Sequence, residues 1–584
     1  MSAKAKTVKL AHNTVLPDIC NRSPLAPLVK GGWGVSLGSI KMRNWDKFCF
    51  GLALVLGWGW MTPVSAAERL ILRLGPFEQS IEIGELERFA KTGELPPNLG
   101  ALSGVLNQDV RNVLLQRLQV DPNITDRVIE DWLKSPAAER MIRNIGDALP
   151  NSTIEQVQAA ISIAARQANG LSPISLLRAF PGETVTIDVT SAIALALQFN
   201  PSYWESQVLG PMLERELAAD SSGFEPAFNP AQMGVARVRD QTITFWDRTR
   251  DRTIPVDIYW SDTSTGEYDL TPPDPGPLVV ISHGFGADRG FLRYLARHLA
   301  SHGLTVAALE HPGSNVNWLS RASISGNPGD LMPPMEFIDR PKDISFLLDE
   351  LTMFNEQPGA LQGKLNTKLV TVIGHSLGGY TALALAGGEL QLDELRRSCK
   401  STDPLSKSPA EWLQCGAAEL SQRRVQLRDE RVKNAIALNP VVGQLFGKTG
   451  LKQVTIPTLI LSATLDAFTP AVNHQIQPFT QLGGEKYLLT AIGGTHLSVG
   501  DSSNLGFQRT LVNERIGDDV EQLHQLLQGV SLAFIKQLTP EAKTYEPFLT
   551  PAYAQSLSTQ ELPLRFNTQL PASVYRWLDI TARR

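Results

Sequence analysis

At 584 residues the chain is long enough for more than one domain. Hydrophobic residues make up 42% and charged residues 19%, a globular balance that excludes a disordered chain. The formal net charge of −5 argues against a nucleic-acid partner, which calls for a basic face.

The first 67 residues stand apart. They carry a net charge of +6, which leaves −11 for the rest. Met42-Arg43-Asn44-Trp45-Asp46-Lys47 is a charged start, Phe48 to Trp60 an apolar run, and Ser65, Ala66 and Ala67 are small. Charged, apolar, small is the order of a secretory signal peptide. The run is shorter than the about 20 residues of a membrane span. Residues 1–67 are therefore read as a leader with translation starting at Met42. The mature protein is expected outside the cytoplasm, in the periplasm or beyond; an uncleaved membrane anchor is the alternative.

Residues 68–200 are read as a small, mainly helical domain. RLILRLGPFEQSIEI (69–83) alternates around Gly75-Pro76, as a hairpin does. VRNVLLQRL, DRVIEDWLK and TIEQVQAAISIAARQA space their apolar residues by three and four, the helical period. ETVTIDV (183–189) reads as one strand. Residues 201–231 form a mixed, Pro-containing linker.

From 232 to 540 the texture changes. ARVRDQTITFWD and TIPVDIYW predict two strands, followed by LVVISHG, LTVAALEH, LVTVIGHS, VKNAIALNP, TLILSATLD and KYLLTAIGG. Helical segments alternate with these, among them GFLRYLARHLASHG, DISFLLDELTMF, YTALALAGG and DVEQLHQLLQGVSLAFIKQL. Such alternation implies an α/β fold, a mostly parallel sheet covered by helices on both faces. A charged, helical insert at 388–430 is placed to cap the site. It holds Cys399 and Cys415, which an oxidising compartment would join in a disulfide; two free thiols are the other reading. Two Cys without a nearby His do not make a four-ligand metal set. Residues 541–584 are read as a C-terminal extension.

A serine hydroxyl becomes a nucleophile only with a neighbouring base, an acid to orient the base, and donors for the oxyanion. Gly374-His375-Ser376-Leu377-Gly378 stands between a strand and a helix, the setting in which glycines let a strained turn expose a serine. The partners should follow as acid, then His. Asp466 ends TLILSATLD, and His496 follows KYLLTAI; both lie at carboxyl ends of strands, where catalytic groups of parallel sheets gather. His474 sits too close to Asp466 in sequence, His524 lies within a helix, and Glu485 is at the wrong end of its strand. The oxyanion donors would be the N–H groups of Leu377 and of Phe285 in His283-Gly284-Phe285-Gly286. His283 and His375 are read as packing residues.

ISHGFGADRGFLRYLARHLASHGLTVAALEHPGS, RPKDISFLLDEL and GHSLGGYTALALAG resemble the platelet-activating-factor acetylhydrolase and dienelactone-hydrolase-like branch of the α/β-hydrolases, over roughly residues 235–540. ERLILRLGPFEQSIEIGELERFAKTGELPP resembles the N-terminal domain of unknown function attached to such hydrolases in cyanobacteria. Two departures stand out. Dienelactone hydrolase uses a cysteine nucleophile where this chain has Ser376. Plasma-type acetylhydrolases place the acid after the strand that here reads Ala437-Leu438-Asn439, and Asn is not an anion.

The resemblance implies a serine hydrolase of carboxylic esters, with no metal or organic cofactor. Its partner would be a small-molecule or lipid ester, a short-chain or oxidised phospholipid being the candidate; a lipid substrate would bring peripheral membrane contact. Two alternatives remain open: an acyltransferase using the same residues, and a non-catalytic binding protein.

Overall fold

The computed structural model describes residues 67–74, 77–95, 148–165, 172–188, 200–262, 275–321, 332–400, 407–504 and 514–581, with isolated positions between 111 and 191. The leader, Met42 included, and the helical segments expected near 110–134 lie outside this range, apart from single positions.

The N-terminal part is built on β1 (Arg69–Leu74), β2 (Phe77–Glu82) and β3 (Thr184–Asp188), in the order β2-β1-β3. β1 runs antiparallel to β2 and parallel to β3, with Arg69 opposite Glu82 on one side and Thr184 on the other. Helix α1 (Ile83–Thr92) buries Ile83, Leu86, Phe89 and Ala90, one helical face. It stops at Gly93, whose φ of 77° suits a left-handed cap. Helices α2 (Ile154–Ala165) and α3 (Pro173–Ala179) close a separate core around Leu70, Phe89, Val157 and Val185.

The stretch expected to begin a linker is a helix, α4 (Pro201–Glu216). Asn200 caps it, accepting from the N–H groups of Ser202 and Tyr203, and Pro201 takes the first position, where no N–H is needed. Leu209 and Leu213 of α4 join the main core.

The main sheet comprises β4 (Arg237–Asp247), β5 (Arg252–Asp262), β6 (Pro277–Ser282), β7 (Thr305–Leu309) and β8 (Asn366–His375) from its first half. A two-stranded ribbon, β9 (Leu390–Gln391) with β10 (Arg424–Val425), belongs to the insert. Strands β11 (Val432–Leu438), β12 (Thr458–Ala463), β13 (Lys486–Ala491) and β14 (Leu564–Asn567) complete the sheet. Its order is β14-β13-β12-β11-β8-β6-β7-β5-β4. The six strands from β13 to β7 are parallel, and antiparallel strands flank them on both edges. β14 corrects the reading of 541–584 as an appendage: it is the edge strand of the sheet. Four residues, Leu-Arg-Phe-Asn, are too few to announce a strand.

The apolar runs are buried on both sides. Leu278 and Val280 of β6 face one core, Val279 and Ile281 the other. On the second face lies α5 (Arg293–Ser301). The first face is covered by α6 (Glu336–Glu356) and α7 (Leu377–Leu385). In the insert, α8 (Leu392–Cys399) and α9 (Pro409–Gln414) are joined by the Cys399–Cys415 disulfide. After the sheet's last parallel strand, α10 (Glu521–Lys536) packs beside α5, and α11 (Ala572–Thr581) follows β14. Among the described residues no helix is long and apolar enough to cross a membrane.

From β6 the chain moves to β7 on one side, and then to β8 on the other. The crevice at this reversal, at the carboxyl ends of β6 and β8, is where ligands of such sheets bind.

Candidate active site

Ser376 stands at that crevice, between β8 and α7, with φ 56° and ψ −117°. A side chain at positive φ costs roughly 1–3 kcal/mol and persists only where its surroundings enforce it. Ser376 N–H donates to Leu438 O, and its carbonyl accepts from Tyr380 and Val441. The flanking glycines are required by close approach: a Cβ on Gly374 would lie 2.0 Å from Gly378 O, and one on Gly378 2.0 Å from Ser282 O.

β8, β11, β12 and β13 are consecutive in the sheet, so residues just past their ends converge. His496 Nδ1 donates to Asp466 Oδ2 across 2.9 Å. With Nδ1 protonated, the lone pair sits on Nε2. His375, the neighbour of Ser376, donates from Nε2 to His496 O at 2.9 Å, and the two rings lie 4.6 Å apart. Among the described residues no hydrogen bond joins His496 Nε2 to the Ser376 hydroxyl; the ring is held through Nδ1. Burial pulls the His496 pKa down, but the Asp466 charge and hydrogen bond outweigh it and hold the ring above its ordinary value.

Asp466 is fully enclosed. Besides His496, its Oδ2 accepts from Thr469 Oγ1 at 2.6 Å, Asn439 Nδ2 at 2.9 Å and Gln475 Nε2 at 3.0 Å. Its Oδ1 accepts from the N–H groups of Phe468 and Thr469. Burial pushes the carboxyl up; His496 and the Thr469 bonds more than offset this and keep it below the usual carboxylate range. Donors to a charged acceptor contribute about 1.5–3 kcal/mol each.

The loop His283–Gly286 leaves β6 and lies against the serine: a Cβ on Gly284 would be 3.2 Å from Ser376 Cβ. Phe285 is in this loop, and Leu377 is the first residue of α7. His283 uses both nitrogens locally, with Gly284 O and the His311 N–H, and burial keeps it far below its ordinary pKa. His375 stacks on Phe291. His474 accepts from the Val442 N–H and is pulled down to about 4 by burial. His524 bonds Ser498 O and stacks on Tyr294.

Several neighbours escape sequence reasoning. Glu514 accepts from the Leu497 N–H beside His496, and burial pushes its carboxyl up to about 7. Ser202 and Ser206 of α4 accept from Asn473 Nδ2 and Val472 N, just past the acid loop. In the insert, the Ala410 N–H donates to Phe468 O, so α9 abuts the same loop. A second chain, Asp343–His311–Ser282, is sealed in the core at 2.9 Å per step and offers no substrate a route. Among the described residues no group of His, Cys, Asp and Glu is placed to hold a metal ion.

Two family models match the chain. One, described as an alpha/beta hydrolase of unknown function, matches residues 66–188. The other, described as platelet-activating factor acetylhydrolase, isoform II, matches residues 259–319, which include the loop His283–Gly286. No curated protein matches the chain. The chain thus has the α/β-hydrolase fold and, in two separate segments, matches an alpha/beta hydrolase family of unknown function and the platelet-activating factor acetylhydrolase isoform II family.

Proposed function

We propose that the protein is an exported serine hydrolase of carboxylic esters, with Ser376 as nucleophile, His496 as base and Asp466 as the acid that orients it. One observation carries the reading. Ser376 occupies a positive-φ turn at the end of β8, and its neighbour His375 donates to the carbonyl of His496, which forms a buried pair with Asp466 past the ends of β13 and β12.

In this reading Ser376 Oγ attacks the ester carbonyl and its proton passes to His496 Nε2. The hydrogen bond between them forms when substrate arrives, since catalytic hydrogen bonds are commonly completed only in the substrate complex. The oxyanion is held by the Leu377 and Phe285 N–H groups, each such donor lowering the barrier by about 3 kcal/mol. Asp466 stabilises the imidazolium. Collapse expels the alcohol, which takes the proton from His496, and leaves acyl-Ser376. Water, deprotonated by the same ring, then releases the acid.

The substrate class proposed is a short-chain or oxidised phospholipid, on the strength of the match over 259–319. Export is supported by the basic leader and the Cys399–Cys415 bridge. Ser376→Ala should lose hydrolysis of p-nitrophenyl esters and labelling by a fluorophosphonate; labelling that survives sinks the assignment. A panel of phospholipids of varied sn-2 chain length tests the substrate. Mass spectrometry of the exported protein tests the leader, and a chain retained in the cytoplasm with residues 1–67 intact counts against it.

A further inference from the structure

The segment Arg340-Pro341-Lys342-Asp343-Ile344 on α6 is remote from the ester chemistry in sequence, yet two of its charged side chains, Arg340 and Asp343, are buried under the site. Arg340 is fully buried. Its Nη2 donates to His283 O and, at 3.2 Å, to Ser282 Oγ; Nη1 donates to Ser314 Oγ at 2.7 Å; Nε donates to Thr381 Oγ1 at 3.3 Å. All four acceptors are neutral oxygens. The opposing charges of Glu336 and Asp343 act on Arg340 through space, without a direct hydrogen bond, and a buried cation held in this way is costly to desolvate.

The acceptors belong to the elements that frame Ser376. His283 opens the loop that carries Phe285. The Ser314 carbonyl accepts from the Gly286 N–H at 2.8 Å, which ties the far end of that loop. Thr381 is on α7 and donates in turn to Leu377 O at 3.0 Å. Pro341 adds a second tie between α6 and α7. It has no N–H for Phe337 O, four residues back, and the Tyr380 hydroxyl of α7 donates there instead. Asp343 reaches the same point from the other side: it holds His311, which pairs with Ser282. Burial pulls Arg340 down to about 10, so it stays charged at neutral pH.

We infer that Arg340 is a positioning residue of the oxyanion hole: from within the core it fastens the loop His283–Gly286 and the start of α7 to one another, and so fixes the spacing of the two N–H donors. The inference rests on Ser376 being the nucleophile. It predicts a defect in stabilising the transition state rather than in binding the ester.

The full-length Arg340→Lys and Thr381→Val proteins would be compared with wild type on a p-nitrophenyl ester. Inhibition by a trifluoromethyl ketone, which adds to a serine as a tetrahedral oxyanion, would be measured alongside. All rates are taken per site titrated with a fluorophosphonate, which removes the effect of misfolded protein. Lysine keeps the charge but cannot span three elements as the planar fork does. For Arg340→Lys, kcat per titrated site should fall about 100-fold, with the ketone Ki rising by a matching factor. KM should stay within about threefold. Thr381→Val should show the same pattern at about tenfold, having lost one bond. Unchanged kcat and Ki per titrated site overturn the inference; if the lysine variant does not fold, Thr381→Val decides alone. Ser376→Ala run in parallel separates the two claims. Hydrolysis surviving there overturns the nucleophile and this inference together. A dead Ser376→Ala beside a fully active Arg340→Lys overturns the inference alone.

Discussion

The Asn439 side-chain amide donates to Asp466 Oδ2 across 2.9 Å, from the position where plasma-type acetylhydrolases would carry their acid. The residue therefore serves the anion one strand away. Its backbone, at φ 45°, lies in the left-handed region that Asn tolerates better than most side chains. Asn439→Gly keeps that conformation and removes only the amide. With one charged hydrogen bond lost, about 1.5–3 kcal/mol, kcat/KM should fall about tenfold to a hundredfold. Asn439→Ala should lose as much activity and melt at a lower temperature as well. Steady-state kinetics and thermal melts of the pair check this.

The pH profile should report His496. In the proposed mechanism the ring must be neutral to accept the serine proton, so activity should be lost as pH falls through its pKa. Because Asp466 holds that pKa above the ordinary 6.5, the acid limb of kcat/KM should have its midpoint above 6.5. Asp466→Asn removes the charge, leaves burial dominant, and should shift the limb to lower pH while cutting kcat by about 10⁴-fold. A limb that does not move in this variant would remove Asp466 from its role.

Glu514 should show itself in stability. Burial pushes its folded pKa up to about 7, above the ordinary carboxyl value of 4.5. A raised folded pKa means that the native state holds the proton more tightly. Its contribution is fully present below 4.5 and is lost as pH rises through about 7. Urea midpoints taken between these values should fall with pH in the wild type, and fall less in Glu514→Gln.

Gly378→Ala should fail for steric reasons alone. The new Cβ would sit 2.0 Å from Ser282 O, a backbone atom with no room to yield. A loss of about 3 kcal/mol or more is expected, read as a lower urea midpoint.

The Cys399–Cys415 bridge spans a sequence separation of 16. On the loop-entropy account its removal costs about 3 kcal/mol. The double Cys→Ser protein should lose that amount in denaturant titrations, and wild type in reductant should match it.

Much of this was legible because the physics is local. LVVIS and TLILSA are continuous apolar runs because both faces of the sheet are covered, and their period needs no partner to be seen. Ser376 follows such a run directly, and Asp466 and His496 come within a short turn of the ends of theirs. What was illegible depends on distant contacts. Ser202 and Ser206 look like linker polarity until Asn473 and Val472, some 270 residues on, supply their donors. Arg340 stands out in no way in the sequence until the four oxygens around it are known. Asn439 reads as a missing acid because a sequence does not show which side chain its amide meets.

Helix α4 bears on how such a gene could be reshuffled. Its first turns bond the residues after Asp466, and one carbonyl of its last turn is held by Arg565 of β14, which donates to Glu214 O at 2.8 and 3.0 Å. A recombination point placed at β4, where the texture of the sequence changes, would hand the recipient a hydrolase whose acid loop has lost its roof and whose edge strand has lost its anchor. A crossover just before Asn200 would carry both along. The portable unit is thus longer than the sheet that names the fold.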